Sequence, residues 1–205
     1  MNKTLAILGA GELGKQIANF ALNDCHYDAV LFYDDFNGGS EIQGNSSQLE
    51  LDYGDKKFDE LIIGIGYNHL DARKEKYDYF KSKVPFGTIV HSSCWVDPAA
   101  MIEPGCVLYP RSVIDKNVLV KHNTILNLNC TISHDTTIGS HSFLGPGVAA
   151  AGFVTIGENC FIGINSTIID NIAIASGTHT GGGAVIIKTI TEPGLYAGNP
   201  AKKIK

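Results

Sequence analysis

The chain has 205 residues, a formal net charge of −5 and 18% charged residues, long enough for one large domain or two small ones with a real core. A mildly acidic chain without a basic stripe gives no electrostatic footprint for nucleic acid or an anionic membrane surface. Apolar residues make up 44%, which excludes disorder, yet no apolar run reaches the roughly 18 residues of a membrane span.

The opening "MNKTLAILGAGELG" has a short apolar core that Gly and Glu break at once, with no cleavage-like site after it. It predicts a first strand, not a signal peptide. "ELGKQIANFALN" has helical spacing, "DAVLFYDD" predicts a second strand ending in two carboxylates, and "FDELIIGIG" a third. "HLDARKEKYDYFKSK" then follows as a polar amphipathic helix. The alternation predicts a small parallel sheet with crossover helices over residues 1–90. Five cysteines without a CxxC fit reduced thiols in a cytoplasm.

From Val96 the period becomes six. Stepping by six to Ile186 gives sixteen positions, all Val, Ile or Leu except Ala150 and Thr180, with no insertion breaking the register. Four residues after each comes a small or β-branched side chain, Cys106, Cys130 and Cys160 among them. This is the signature of a parallel β-helix, in which three hexapeptides make a triangular coil of about 18 residues. The pattern assigns residues 91–205 to the helix and a C-terminal tail, and makes those three cysteines core residues, not ligands.

With "GAGELG", the hexapeptide tract, "ISHD", "NCFIGINS", the "GGG" at 181–183 and the tail "YAGNPAKKI", the whole chain resembles the bacterial sugar-nucleotide acetyltransferases of the left-handed β-helix superfamily, the PglD and NeuD type. The fold expected is α/β followed by β: a Rossmann-like βαβαβ domain, then a left-handed parallel β-helix. The handedness is implied by the resemblance alone. So are a homotrimer, acetyl-CoA as donor, and an amino sugar whose nucleotide the N-terminal domain holds.

Gly9, Gly11 and Gly14, with Glu12 and Leu13 between them, form a GxGxxG between a strand and a helix, and Asp34 and Asp35 end the next strand. Such a helix start favours a diphosphate, and a carboxylate there can take ribose hydroxyls or a base N–H. The residues fit a nucleotide sugar, a dinucleotide or a purely structural tight turn. A sheet that stops after about three strands, with no second nucleotide-binding half, favours the first. The resemblance adds "GIGYN" and the arginine beyond it, here Gly66, Tyr67, Asn68 and Arg73. A solvated helix face is the alternative for Arg73.

His134 and Asp135 occupy outward corner positions of the hexapeptide starting at Ile132, where no core residue belongs. An amino sugar at neutral pH is largely an ammonium ion. A histidine can take the proton as the nitrogen attacks a thioester, and a neighbouring carboxylate can orient the ring. A plain surface histidine is the alternative. Gly152, eighteen residues on, shares the corner one coil along, where its N–H suits an oxyanion. Ile164 and Gly182 share another corner, with Asn127 one residue out of their column. The resemblance places CoA against Ile164 and Gly182, with Pro200 and Lys202 of the tail, and the amino sugar near Asn127. Two corners of one triangle cannot meet, so the site is expected between subunits. The family's second histidine, nine residues after the base, is Phe143 here, which puts that acetyl-CoA contact in doubt.

His122, His134 and His141 are spaced 12 and 7 apart, unlike the zinc-binding histidines of γ-class carbonic anhydrases on this helix, so no metal is expected. The reading is an acetyl-CoA-dependent N-acetyltransferase of a nucleotide-linked 4-amino-4,6-dideoxy sugar. A sialic acid O-acetyltransferase and a non-catalytic nucleotide-sensing trimer are the alternatives.

Overall fold

The first apolar run forms strand β1 (Thr4–Leu8), with Leu5 to Leu8 all buried. A computed structural model describes residues 3–205. β1 lies between β2 (Ala29–Tyr33) and β4 (Glu60–Ile63), and β3 (Ile42–Gly44) adds to the outer edge of β2. All pairs are parallel. Strand order therefore reverses at β1, and the loops after β1 and β4 flank a crevice at the carboxyl ends of the strands.

Helix α1 (Glu12–Asn23) buries Gly14, Ile17, Ala18 and Ala21, the helical spacing expected. α2 (Ser46–Gly54) and β3 differ from the expectation, which had three strands and no element between residues 36 and 57. α2 buries only Leu49 and Asp52 and rests on the Asn45 cap, whose side chain accepts from Ser47 and Gln48 N–H. Its apolar stripe is too thin to produce a period, so the cap was the only signal. α3 (Leu70–Phe80) follows the 3₁₀ turn Tyr67–His69.

The chain divides between Ile89 and Val90 into this α/β unit and a second unit, a parallel β-solenoid of about six turns. β5 (Ile89–Val90) spans that division and is followed by a two-residue strand every six residues as far as Val185–Ile186. Three sheets of eight, six and five strands result. The second residue of each strand points inward. From Leu108 to Ile186 every such position is buried. The exceptional Thr180 is satisfied inside, since its Oγ1 accepts from Gly163 N–H at 2.8 Å.

The small inward corner residues do more than fit. Ser112, Thr124, Ser142 and Ser166 each donate to a carbonyl fifteen residues ahead, at 3.0–3.2 Å. The thiols of Cys106, Cys130 and Cys160 point the same way, at 3.1–3.4 Å. Burial pushes Cys130 up to about 12 and Cys160 to about 11, so neither supplies a thiolate.

Each corner turns through one residue in the left-handed region, every sixth position from Gly105 to Gly183. Glycine, asparagine or aspartate fills these positions except at Arg111, His141 and Phe153. A left-handed residue with a Cβ costs about 1–2 kcal/mol, least for Asn and Asp.

Candidate active site

His134 and Asp135 sit in the corner between strands Thr131–Ile132 and Thr137–Ile138. Asp135 takes the left-handed turn at φ 57°, which aims its carboxylate back at the ring. Oδ2 lies 3.0 Å from His134 Nδ1, and Oδ1 accepts from Asn117 Nδ2 at 3.0 Å, one coil earlier. Those two bonds, Asn117 first and His134 second, hold the carboxyl below the usual carboxylate range. An ionised Asp135 keeps the proton on Nδ1 and leaves Nε2 as the basic nitrogen. The imidazole is 48% exposed, so the base is reachable.

The ring lies against Gly152. A Cβ there would stand 2.6 Å from Cε1 and 2.8 Å from Nε2 of His134, so no side chain fits while the ring keeps this position. Phe153 N–H donates to His134 O at 3.1 Å, which fixes the register of the two coils. Gly152 N–H itself donates to no acceptor among the described residues. A free backbone donor beside the base is what a developing oxyanion requires.

Ile164 is 51% exposed, and a Cβ at Gly182 would meet its Cγ2 at 3.0 Å. These two residues therefore stack as one column, open along Gly182 and Gly183. Asn127 lies beside that column and accepts from Leu128 N–H through Oδ1 at 2.7 Å. The two columns flank opposite edges of the six-stranded sheet, so one chain does not bring them together. In the tail, Leu195–Ala197 pairs with His179–Thr180, and Pro200 and Lys202 line a cavity with Ile186 and Lys188.

In the α/β unit, the crevice at the carboxyl ends collects Gly9, Gly11, Gly14, Asp34, Asp35, Tyr67 and Asn68. Gly14 packs α1 onto the loop, since a Cβ there would lie 1.9 Å from Gly9 O, whereas Gly11 has open space around it. The first-turn N–H groups beginning at Glu12 and Leu13, which no helix pairs internally, have no side-chain cap in α1 either.

The carboxylates are less available than their position suggests. Asp34 accepts from Ala10, Phe36 and Asn37 N–H at 2.8–2.9 Å. Burial opposes ionisation there, but these donors outweigh it and hold the carboxyl low. Asp35 pairs with Lys76 Nζ at 2.6 Å and accepts from Ser46 N and Oγ at 2.8 Å. Asp34 is thus a loop clasp, and Asp35 a member of a charged cluster with Lys76 and Ser46.

Two expectations need correction. Arg73 is fully buried on α3, neither a solvated face nor a surface a ligand can touch: the helix turns it into the unit. Phe143 is 3% exposed on the eight-stranded sheet, its ring 6.0 Å from that of Phe161, so it offers acetyl-CoA no surface. His141, two residues before it, is buried and bonded to Asn123 at 2.9 Å. His122 pairs with Glu103 at 3.1 Å, its ring 5.0 Å from that of His141, on the corner that neither column uses. Among the described residues no three His, Cys, Asp or Glu side chains are placed to hold a metal. Two exposed aromatics next to candidate site residues were passed over in the sequence: Phe36, 96% exposed beside Asp35, and Phe153, 55% exposed beside His134. Phe153 could have been found, since it breaks the Asn/Gly/Asp period of the corners.

No family model matches the chain. A segment of 61 residues is 38% identical to UDP-3-O-acylglucosamine N-acyltransferase of Bordetella pertussis, covering 30% of this chain and 17% of that protein. Likeness in structure extends much further. The acetyltransferase domain of PglB from Neisseria gonorrhoeae, in complex with acetyl coenzyme A, superimposes with a TM-score of 0.92 at 27% identity, covering 100% of each chain. PerB from Caulobacter crescentus, in complex with CoA and GDP-perosamine, gives 0.87 at 23% identity over 98% and 97% of the two chains. WeeI from Acinetobacter baumannii gives 0.84 at 20% identity over 98% and 100%. The last two likenesses show the fold. The chain has, end to end, the architecture of these proteins: a small parallel sheet with helices, then a hexapeptide β-solenoid.

Proposed function

We propose that this chain is an acetyl-CoA-dependent N-acetyltransferase acting on the 4-amino group of a nucleotide-linked 4-amino-4,6-dideoxy sugar. The observation that carries the reading is the His134–Asp135–Gly152 constellation: a basic Nε2 set by a 3.0 Å carboxylate contact, against a glycine whose N–H is free. His134 Nε2 takes the proton of the attacking amine, and Gly152 N–H donates to the thioester oxygen as charge develops there. The nitrogen–carbon bond forms, the carbon–sulfur bond breaks, and the imidazolium returns its proton to the departing thiolate. Asp135 stabilises the imidazolium and is not itself protonated.

The likeness to a domain crystallised with acetyl coenzyme A supports the donor. The uncapped start of α1, with open space at Gly11, supports a nucleotide diphosphate in the α/β unit. A homotrimer is supported by the outer face of the six-stranded sheet. Trp95 and Val113 are exposed there, in line with Thr131, Ala149, Thr167 and Val185. That sheet separates the His134 column from the Ile164 column. Closing three copies around it sets one chain's base corner beside its neighbour's CoA corner. No helix among the described residues is long and apolar enough to cross a membrane, and reduced thiols with an acetyl-CoA donor fit a cytoplasmic protein.

The test is a panel of UDP-, dTDP- and GDP-linked 4-amino-4,6-dideoxyhexoses with acetyl-CoA, following free CoA thiol and product mass. One sugar should gain an acetyl group with wild-type protein and lose that turnover with His134→Ala. Thiol release with no acetylated sugar would mean thioester hydrolysis and overturn the transfer reading, whereas transfer to a hydroxyl alone would overturn the N-acetyl reading in favour of O-acetylation.

A further inference from the structure

Packing alone gives no reason for a phenylalanine at position 153. The backbone there has φ 58°, a left-handed turn that the equivalent corners of the same column fill with Asn117, Asp135 and Asn171. Asn117 donates to Asp135 from one coil, and an asparagine at 153 would stand one coil to the other side. Of the three corner residues that depart from Gly, Asn and Asp, His141 is buried on another corner and Arg111 is a charged surface residue. Only Phe153 presents an apolar ring. It is 55% exposed, and it meets the His134 ring edge to face, centroids 5.2 Å apart at 85°. A bulky side chain in this backbone region is a reason to ask what the local function is.

We infer that Phe153 is a specificity-determining residue of the acceptor site, where its exposed ring receives the deoxygenated, methyl-bearing part of the sugar. The inference rests on the acetyl-transfer reading above and adds the residue that recognises the missing hydroxyl. The amine must come within about 2.6–3.2 Å of Nε2 to give up its proton. Atoms two or three bonds from that nitrogen then lie within van der Waals reach of a ring centred 5.2 Å from the imidazole. A methyl group gains burial against this ring. A hydroxyl in the same place loses its water and finds no partner on the aromatic face. The Asp135 carboxylate is already engaged through both oxygens, Oδ1 by Asn117 and Oδ2 by His134.

The test compares two acceptors on one nucleotide, the 4-amino-4,6-dideoxyhexose and its 4-amino-4-deoxy counterpart bearing the C6 hydroxyl. Wild-type protein should favour the first by roughly 10-fold or more in kcat/KM. Phe153→Leu, which keeps an apolar surface, should retain that preference. Phe153→Asn should reduce it to within about 3-fold, mainly through KM, with the same oligomeric mass by light scattering and a Tm no lower than wild type. An unchanged preference in Phe153→Asn overturns the assignment and leaves the reaction standing. An equal loss of kcat on both sugars overturns it in favour of a brace for His134, and a changed oligomeric mass in favour of a subunit contact. Turnover of neither sugar by wild-type protein removes the reaction and the assignment together.

Discussion

In the solenoid, a spacing of eighteen residues places two side chains side by side. In the α/β unit, sequence spacing fixes neighbours within a helix or strand but not between elements. His134 and Gly152 touch because one coil separates them, and Phe153 N–H to His134 O confirms the register. Asp34, Asp35 and Arg73 lie near one strand end or helix in sequence, yet the fold gives them three different tasks. Asp34 fastens its own loop, Asp35 joins Lys76 and Ser46, and Arg73 is buried. A periodic backbone makes function legible by counting, whereas an aperiodic one assigns function by packing.

The strongest test of the periodic side is the base. His134→Ala should keep its fold and oligomeric mass yet lose at least about 10²-fold in kcat. Gly152→Ala should approach the same loss without touching a titratable group, because its Cβ would collide with the ring at 2.6 Å, and a displacement of about 1 Å can cost 10²-fold. A Gly152→Ala variant with wild-type kcat would show that the register does not position the ring.

Next comes the division of the site between chains. His134→Ala and Gly182→Trp should each be inactive as homotrimers. Co-expressed at 1:1, they should recover roughly 25% of wild-type activity, since about a quarter of interfaces pair two intact columns in a closed cyclic trimer. Proven mixed trimers without recovery would place both columns of the site within one chain.

For the aperiodic side, Asp35→Ala should raise the KM for the sugar nucleotide by about 10-fold while leaving that for acetyl-CoA unchanged. Asp34→Ala should instead lower stability, by about 1–3 kcal/mol, as three backbone donors lose their acceptor. Equal effects of the two substitutions on KM would erase the distinction between the two carboxylates.

Acid should separate the two units by the smallest effect. Asp34, Asp35, Asp52 and Asp78 of the α/β unit all have lowered pKa values, Asp78 to about 2. A folded value below the unfolded one gives stability that is complete above the unfolded pKa of about 3.9 and is lost as pH falls through the folded value. The solenoid core has no such cluster, and its lowered carboxyls, Asp135 and Glu192, are at the surface. Between about pH 4 and pH 2, amide exchange should therefore rise in β1 and β2 before it rises in the solenoid strands. Simultaneous loss of protection would mean that these carboxylates do not set acid stability.

Much of this was written in the residue order. The six-residue period fixed the solenoid's inward positions, the buried cysteines and the pairing of His134 with Gly152, because a repeating coil converts spacing into contact. GxGxxG and the strand–helix alternation located the crevice of the α/β unit. β3 and α2 escaped notice because three strand residues and a nine-residue helix with two buried side chains carry no period. Only the tertiary structure decided which candidates still have a surface or a free donor to offer. It buried Arg73 and Phe143, engaged Asp34, left Gly152 N–H free and set an exposed aromatic ring on the imidazole. Availability depends on every neighbour that packs around a group, and most of those neighbours are far away in the chain.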